Sequence, residues 1–137
     1  EAIAVALENF QSLGVAERVT ARQGDLLDAI SDQSDFDFVV SNPPYVSEAE
    51  YEQLQRDVKD FEPYTALVPG PSGMEAYEKL IPQAADRLRA GGWLILETSP
   101  MLAGNLSQLL SDDSRFEPIE VTRDLENHDR IVSARRL

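Results

Sequence analysis

Cysteine is absent from this sequence of 137 residues, and histidine and tryptophan occur once each. Without thiols, neither a disulfide framework nor a thiolate metal site can form. Basic residues are also few, because 12 Lys and Arg stand against 25 Asp and Glu, for a formal net charge of −13. Since nucleic-acid affinity depends largely on cations that contact phosphates, this composition argues against duplex DNA as the substrate of this segment.

Long hydrophobic runs are missing as well. No stretch of the sequence approaches the roughly 18 apolar residues of a membrane span, and the first residues, Glu1-Ala2-Ile3-Ala4, lack the basic start of a signal peptide. We therefore expect a soluble protein without a membrane partner. A chain of this length is one domain's worth and buries roughly two-thirds of its unfolded surface.

Helix and strand patterns alternate in the first part of the chain. The apolar spacing over residues 1–12 predicts an amphipathic helix, and the alternation over 18–23 predicts a short strand that ends in a turn at Gly24-Asp25. The continuous apolar run 36–41 predicts a parallel strand buried on both faces. This alternation of helix and strand indicates βαβ winding and an α/β fold.

The alternation continues after a proline-rich turn. Ser47, which is followed by several glutamates, predicts an N-capped helix to about Val58. Residues 59–72 are rich in Pro and Gly and predict an irregular loop that covers a site. The remaining predicted elements are a helix over 73–90 closed by Gly91-Gly92, a buried strand over 93–96, a helix marked by Leu102, Leu106, Leu109 and Leu110, and two antiparallel strands over 116–122 and 130–134.

The most informative motif is Asn42-Pro43-Pro44-Tyr45, which directly follows the predicted strand 36–41. The two prolines stiffen the loop, because each fixes its own φ and forces the preceding residue into extended geometry. The Asn42 side-chain carbonyl and the Pro43 backbone carbonyl can then face outward as a pair of acceptors, which suits an NH2 group, while the Tyr45 ring stacks on a planar substrate. Ligands of open α/β sheets bind at the carboxyl ends of the strands, so this position favours a site for transfer to nitrogen.

Other readings of these residues stay open. The motif can also be an ordinary loop opener, as clusters of Asn and Pro often are. Glu97, at the end of a predicted strand, is a candidate for the rim of the site or a structural residue. His128 lies in a polar turn, which favours a solvated residue over a general base. Asp112-Asp113 lacks a third ligand at suitable spacing, and we predict no metal site.

Segments spread over the chain share one resemblance. They are Ser41-Asn42-Pro43-Pro44-Tyr45, Asp57-Val58, Phe61-Glu62-Pro63-Tyr64-Thr65-Ala66-Leu67, Ser72-Gly73-Met74, Gly91-Gly92-Trp93-Leu94-Ile95-Leu96-Glu97, Arg123-Asp124 and Asp129-Arg130-Ile131-Val132. Together they resemble the HemK/PrmC family of peptide chain release factor glutamine N5-methyltransferases. The tetrapeptide is shared with adenine-N6 and guanine-N2 methyltransferases, whereas the Phe-Glu-Pro-x-x-Ala-Leu segment is characteristic of the release-factor enzymes.

The resemblance implies a Rossmann-like methyltransferase sheet that ends in an antiparallel hairpin. Two family parts are absent from this sequence: none of its seven glycines forms the Gly-x-Gly of the loop that binds S-adenosylmethionine, and the small helical N-terminal domain is missing. We therefore interpret residues 1–137 as the C-terminal portion of a catalytic domain, truncated at the N-terminus. This fragment alone is expected to be inactive.

The resemblance also implies roles for individual residues. Asn42 and Pro43 are the predicted catalytic residues, which accept the two hydrogens of the substrate amide, and Pro44 and Tyr45 pack on the plane of that amide. Asp25 and Leu26, together with Asn42, are the predicted contacts of the cofactor S-adenosylmethionine. The predicted partner is a peptide chain release factor, and the predicted location is the cytoplasm of a bacterium, with an organelle as the alternative.

Three functions follow from these observations. The first is N5-methylation of the glutamine in the Gly-Gly-Gln loop of release factors. The second is N-methylation of adenine or guanine, which requires a basic surface to hold a flipped base and is disfavoured by the acidic composition. The third is a non-catalytic binding module that keeps the fold and lacks the cofactor loop.

Overall fold

The computed structural model describes residues 2–137, which divide into two compact units with the boundary between Gln33 and Ser34. In the first unit, helix α1 spans Ala2–Ser12, as predicted, and Glu1 lies outside the described residues. The helix stops at the predicted place because Gly14 adopts a φ of +67°, which is left-handed backbone that ends helices.

The prediction of a strand over residues 18–23 is wrong. These residues form no strand, and they are followed by a short 3₁₀ turn at Asp28–Ile30. Alternating apolar and polar side chains suit a strand with one buried face. A strand forms, however, only where a neighbouring strand satisfies its backbone hydrogen-bonding groups. Val19 keeps 41% of its surface exposed, so its side chain adds little packing energy in place of that pairing.

The second unit contains a four-stranded sheet and five helices within residues 34–137. In chain order they are β1 Phe36–Ser41, α2 Glu48–Tyr51, α3 Arg56–Phe61, α4 Tyr64–Leu67, α5 Glu75–Arg87, β2 Leu88–Glu97, α6 Ala103–Asp112, β3 Phe116–Arg123 and β4 Asp129–Arg136. The predicted helix at Leu102–Leu110 and the two final strands are therefore confirmed.

The sheet has the order β1-β2-β4-β3. β1 and β2 are parallel, and α5 forms the crossover between them, which is the predicted βαβ connection. β4 is antiparallel to both β2 and β3, so the last two strands are the predicted hairpin. The carboxyl ends of β1 and β2 consequently meet at one edge of the sheet, where Ser41 pairs with Leu96.

The core lies between the sheet and the helices α5 and α6. α5 packs on β2, and α6 packs on β3 and β4. Burial alternates along β2, with Leu94 and Leu96 fully buried, as a strand with one covered face requires. The largest fully buried side chains are Tyr77, Leu80, Leu94, Leu96, Leu106, Leu110, Val132 and Thr98.

The predictions for residues 47–72 are partly wrong. Ser47 caps a helix as expected, in a reciprocal capping box with Glu50, but this helix ends at Tyr51 and a second helix begins at Arg56. The irregular loop predicted over 59–72 contains the end of α3 and all of α4. Pro63 explains the break between these helices, because a proline holds the preceding residue in extended geometry, and Glu62 has a ψ of 133°.

Gly91-Gly92 does not close a helix. α5 continues through Pro82 and ends at Arg87, and β2 begins at the next residue. The two glycines lie in an irregularity of β2, where the pairing moves from Phe36 with Leu88 to Phe38 with Trp93. A side chain at Gly92 would meet the Phe36 carbonyl oxygen at 2.9 Å, so glycine permits the close approach of the two strands.

β1 is parallel, as predicted, but it is not buried on both faces. It pairs with β2 alone and is an edge strand of the described sheet. Val39 is buried, whereas Phe38 is 59% exposed and Val40 is 70% exposed. A long apolar run therefore indicated a central strand, and the tertiary structure places it at an edge.

This edge predicts self-association of the 137-residue chain. An edge strand with apolar side chains is a template for pairing, whereas the other edge strand, β3, carries the protective residues Glu117, Pro118 and Glu120. We expect Val40→Lys to lower the apparent molecular mass at high protein concentration, as measured by sedimentation velocity. Val121→Lys on β3 is the matched control and should leave association unchanged. Equal association of wild type and Val40→Lys would show that β1 is not the contact.

Candidate functional site

The tetrapeptide 42–45 begins where β1 ends, at the carboxyl edge of the sheet. Asn42 is exposed and Pro43 is buried, while Pro44 and Tyr45 are half-buried. The burial of Pro43 fixes the loop, because a proline ring packed in the protein leaves little freedom to the residues on either side. The motif is thus a rigid turn with one polar side chain facing solvent.

A cavity of about 150 Å³ opens beside this turn. Its lining residues are Asn42, Pro43, Pro44, Tyr45, Val46, Ala66 and Leu67. Sites for whole small molecules usually measure about 300–1,000 Å³. The cavity is therefore sized for a single planar group, such as a carboxamide, and the structure brings all four motif residues to its wall.

Residues 66–73 run along the motif, and because Ala66 and Leu67 of this segment line the cavity, we call the segment the second wall. The Val46 amide donates to the Leu67 carbonyl at 2.9 Å, and Ser47 and Gly70 form a parallel bridge. Gly73 has a φ of +82°, and a Cβ atom there would lie 2.5 Å from the Tyr45 carbonyl oxygen. The stretch that the sequence predicted as a covering loop is therefore fastened along the motif.

Glu75 fastens this wall to the start of α5. Its Oε1 accepts hydrogen bonds from the amide and the hydroxyl of Ser72, at 2.8 and 2.9 Å. Burial alone raises the pKa of the Glu75 carboxyl, but the hydrogen bonds from Ser72 and from the backbone amides of Gly73 and Glu75 outweigh burial and hold the pKa below its ordinary 4.5. The charged carboxylate therefore stabilises the turn.

This pKa shift predicts a dependence of stability on pH. A carboxyl whose folded pKa is depressed contributes stability that is present above its unfolded value, here 4.5, and is lost as the pH falls through the folded value. We expect the free energy of unfolding in urea to differ between wild type and Glu75→Gln at neutral pH, and this difference to shrink as the pH falls below 4.5. Glu78→Gln, on the same helix, is the control. A difference that is independent of pH would contradict the role of the charge.

The Tyr45 hydroxyl lies at the back of the motif and contacts Glu97. Its Oη is 3.4 Å from Glu97 Oε1. Burial, and then the negative charge of Glu97, raise the pKa of Tyr45, while the Arg130 guanidinium acts in the opposite direction. Tyr77 on α5 donates to the Glu97 backbone carbonyl at 2.7 Å, and burial raises the pKa of Tyr77 to about 12. Glu97 therefore lies beside the motif, between two tyrosines.

The other candidates lie elsewhere. His128 is exposed in the hairpin turn, with Nδ1 3.8 Å from Glu126 Oε2. Asp113 pairs with Arg115 at 2.7 Å. Asp25 is exposed, and Leu26 has a φ of +54°, which is unusual for a residue with a side chain; both belong to the first unit, whereas Asn42 belongs to the second. Their assignment to a cofactor stays a prediction.

Sequence reasoning missed two residues of this region. Gly73 was predicted as the first residue of the helix over 73–90 and as part of a family segment. That start is wrong, because α5 begins at Glu75 and Gly73 has left-handed backbone, which a glycine adopts readily. Arg130 was named only within a family segment, because its electrostatic effect on Tyr45 arises from the sheet order, which the sequence does not state. Across residues 2–137, no helix has the length and apolar character needed to cross a membrane, and no three His, Asp or Glu side chains are grouped as metal ligands.

Comparison with known proteins identifies relatives over nearly the whole chain. The chain is 39% identical over 135 residues to the release factor glutamine methyltransferase of Rhodopirellula baltica, which covers 98% of this chain and 46% of that protein. It is 41% identical over 136 residues to the protein of the same name from Nitratidesulfovibrio vulgaris, with 98% and 46% covered. The protein of that name from Koribacter versatilis is 38% identical, with 99% and 47% covered. The chain thus spans about half the length of the curated relatives it matches.

The fold has a solved counterpart. A chain in the structure of the E. cuniculi Mtq2-Trm112 complex, described as responsible for methylation of the eRF1 translation termination factor, superposes with a TM-score of 0.54. The likeness covers 94% of this chain and 68% of that chain at 20% identity, which supports the fold alone. The predicted methyltransferase sheet with its final hairpin is therefore confirmed.

No family model matches the sequence. Over a segment about half as long as these relatives, the chain is thus similar to proteins named release factor glutamine methyltransferase.

Proposed function

We propose that this chain carries the substrate-binding part of an S-adenosylmethionine-dependent methyltransferase that modifies the N5 nitrogen of the glutamine in the Gly-Gly-Gln loop of peptide chain release factors. The observation that carries the proposal is the cavity of about 150 Å³ walled by the motif 42–45 at the end of β1. The names of the curated relatives support the choice of substrate. The fold neighbour, described as responsible for methylation of the eRF1 translation termination factor, agrees with it.

The proposed chemistry depends on orientation. A carboxamide nitrogen is a poor nucleophile because its lone pair is delocalised into the carbonyl group. In the proposed complex its two hydrogens are held by the Asn42 side-chain oxygen and the Pro43 backbone oxygen, which aims the nitrogen at the methyl group, and Tyr45 and Pro44 pack on the amide plane. Fixed acceptors and positioning of this kind contribute several kcal/mol to catalysis.

The residues themselves need little acid–base chemistry for this reaction. S-adenosylmethionine supplies the methyl group as a sulfonium when it is bound. As the new nitrogen–carbon bond forms, the nitrogen becomes acidic and loses its proton to water or to a nearby acceptor. A strong general base is therefore not required, and His128 is exposed in the hairpin turn.

The cavity beside the motif does not hold a whole cofactor. The cavity is too small for a whole nucleoside cofactor, and the sequence contains no Gly-x-Gly. We therefore propose that the glycine-rich part belongs to the half of the relatives that this chain does not span, and that residues 1–137 are the C-terminal portion of the catalytic domain. Asp25, Leu26 and Asn42 are its proposed contributions to cofactor binding, and the proposed location is cytoplasmic.

The test is a methyl-transfer assay with the protein expressed at the full length of its gene. Labelled S-adenosylmethionine and a release factor with a Gly-Gly-Gln loop are the substrates, and mass spectrometry locates the methyl group. We expect one added methyl group on that glutamine and none when the loop glutamine is replaced with glutamate, which has no NH2. Label that appears in DNA or RNA instead would assign the chain to the nucleic-acid methyltransferases. An absence of any transfer would favour a binding module.

A further inference from the structure

A group of polar side chains lies near the carboxyl end of β2 and contacts the motif through Tyr45. Its members are Tyr45, Tyr77, Glu97, Asp124 and Arg130, and we name it the Glu97 cluster. Only Tyr45 of this group lines the cavity. The other four come from α5, β2, the hairpin turn and β4, so the cluster forms only when the sheet is assembled.

Glu97 is the centre of the cluster. Its backbone carbonyl accepts the Tyr77 hydroxyl at 2.7 Å, and its side chain faces the Tyr45 hydroxyl at 3.4 Å. The strand itself does not need this side chain, because Glu97 already pairs with Ile131 of β4. The carboxylate is half-buried beside the motif, so its contact with Tyr45 is the polar function that remains for it.

Arg130 joins the cluster from β4. Its Nε donates to Asp124 Oδ2 at 3.3 Å, and its Nη1 donates to the Thr98 carbonyl at 3.4 Å. Asp124 is itself fixed, because its Oδ1 accepts the backbone amides of Glu126 and His128, both at 3.0 Å. The guanidinium is thus anchored by the hairpin turn and acts electrostatically on the Tyr45 hydroxyl.

We propose that Glu97 is a positioning residue that holds the Tyr45 hydroxyl and thereby fixes the Tyr45 ring against the substrate amide. This proposal rests on the proposed function, since it deepens the role given there to Tyr45. The 3.4 Å contact is longer than an ordinary O–H···O bond. Such contacts in unliganded sites tighten when the substrate binds, so the cluster orients the ring most firmly in the complex.

A double-mutant cycle measures this positioning role. In the full-length protein, Glu97→Ala and Tyr45→Phe are each expected to lower kcat/KM for the release factor on the order of tenfold, mainly through kcat, because the ring loses its fixed orientation. The double variant should be no worse than either single variant, since both remove the same contact.

The conservative variant separates positioning from folding. Glu97→Gln keeps an oxygen that accepts the hydrogen bond of the Tyr45 hydroxyl. Because a neutral acceptor forms a weaker hydrogen bond than a charged one, we expect kcat/KM to fall, but to stay within about threefold of wild type. Glu120→Gln, on the exposed side of β3, is the matched control and should have no effect. Losses of Glu97→Ala and Tyr45→Phe that simply add, or a Glu97→Gln variant as poor as Glu97→Ala, would overturn the proposal.

An activity-independent measurement keeps this proposal separable from the proposed function. The ζ-carbon NMR signal of Tyr45, assigned by its loss in Tyr45→Phe, is titrated with base. Glu97→Gln should move the Tyr45 transition to lower pH, because the negative charge that raises its pKa is removed, and Glu120→Gln should not. If the Tyr45 transition does not move, the proposed role of Glu97 is wrong, even when the enzyme is active. If the transition moves but no release factor is methylated, the Glu97–Tyr45 contact is supported and the proposed substrate is wrong.

Discussion

Methyl transfer by the Asn42→Ala variant is expected to fall by about 10²–10³-fold in kcat/KM, the usual cost of removing one fixed polar group that orients the reacting centre. The Asn42 side chain is the exposed polar group at the cavity mouth, and its oxygen is the proposed acceptor of one amide hydrogen. The loss should appear mainly in kcat, because the amide still enters the cavity but is no longer aligned. Initial rates with labelled S-adenosylmethionine and a release factor measure it.

The control for this variant is Asn105→Ala. Asn105 is also exposed, on helix α6, and lies outside the cavity wall. Its replacement should leave kcat/KM unchanged and stability slightly higher, because alanine favours helix more than asparagine does. If Asn42→Ala folds normally and retains full activity, Asn42 does not hold the substrate and the proposed chemistry is wrong.

Gly73→Ala is expected to damage both folding and activity. A Cβ atom at this position would lie 2.5 Å from the Tyr45 carbonyl oxygen and 3.1 Å from Leu102 Cδ1, and the backbone φ of +82° disfavours any side chain. The strained backbone alone costs about 1–3 kcal/mol. Relief of the contact requires the motif to shift, so methylation should fall together with the free energy of unfolding measured in urea.

Gly104→Ala is the matched control for this substitution. Gly104 lies in the first turn of α6, and a Cβ atom there would meet nothing within 4 Å. Replacement of a helical glycine with alanine stabilises a protein by roughly 0.5–1 kcal/mol, so the two variants should change stability in opposite directions. A Gly73→Ala protein as stable and active as wild type would show that the wall at Gly73 does not support the motif.

Local patterns predicted most of the elements of the second unit. The apolar spacing at Leu102, Leu106 and Leu110 predicted α6 because every third or fourth side chain of a helix faces the core, and all three are buried. The capping residue Ser47 marked the start of α2 for an equally local reason, since its side chain bonds to Glu50 three residues ahead.

The wrong predictions concern segments whose conformation depends on a neighbouring strand. Residues 18–23 alternate like a strand and form none, and the glycine pair at 91–92 was assigned to a helix end, although it lies where β2 approaches the Phe36 carbonyl. In both cases the local pattern suits more than one conformation. The choice depends on whether another strand is present to pair with the backbone.

The candidate site also has a part that the sequence predicts and a part that it does not. Asn42-Pro43-Pro44-Tyr45 was recognisable because prolines dictate backbone geometry from within the chain and because the preceding apolar run places the turn at the end of a strand. The sequence predicted that residues 59–72 cover a site and that Glu97 is a candidate for its rim. The fastening of residues 66–73 along the motif and the contact of Glu97 with Tyr45 could not be predicted. These residues are far apart along the chain, and only the sheet order and register bring them together. Short-range stereochemistry thus suffices to identify the candidate motif, whereas long-range packing sets the cavity around it and the polar contacts of Tyr45.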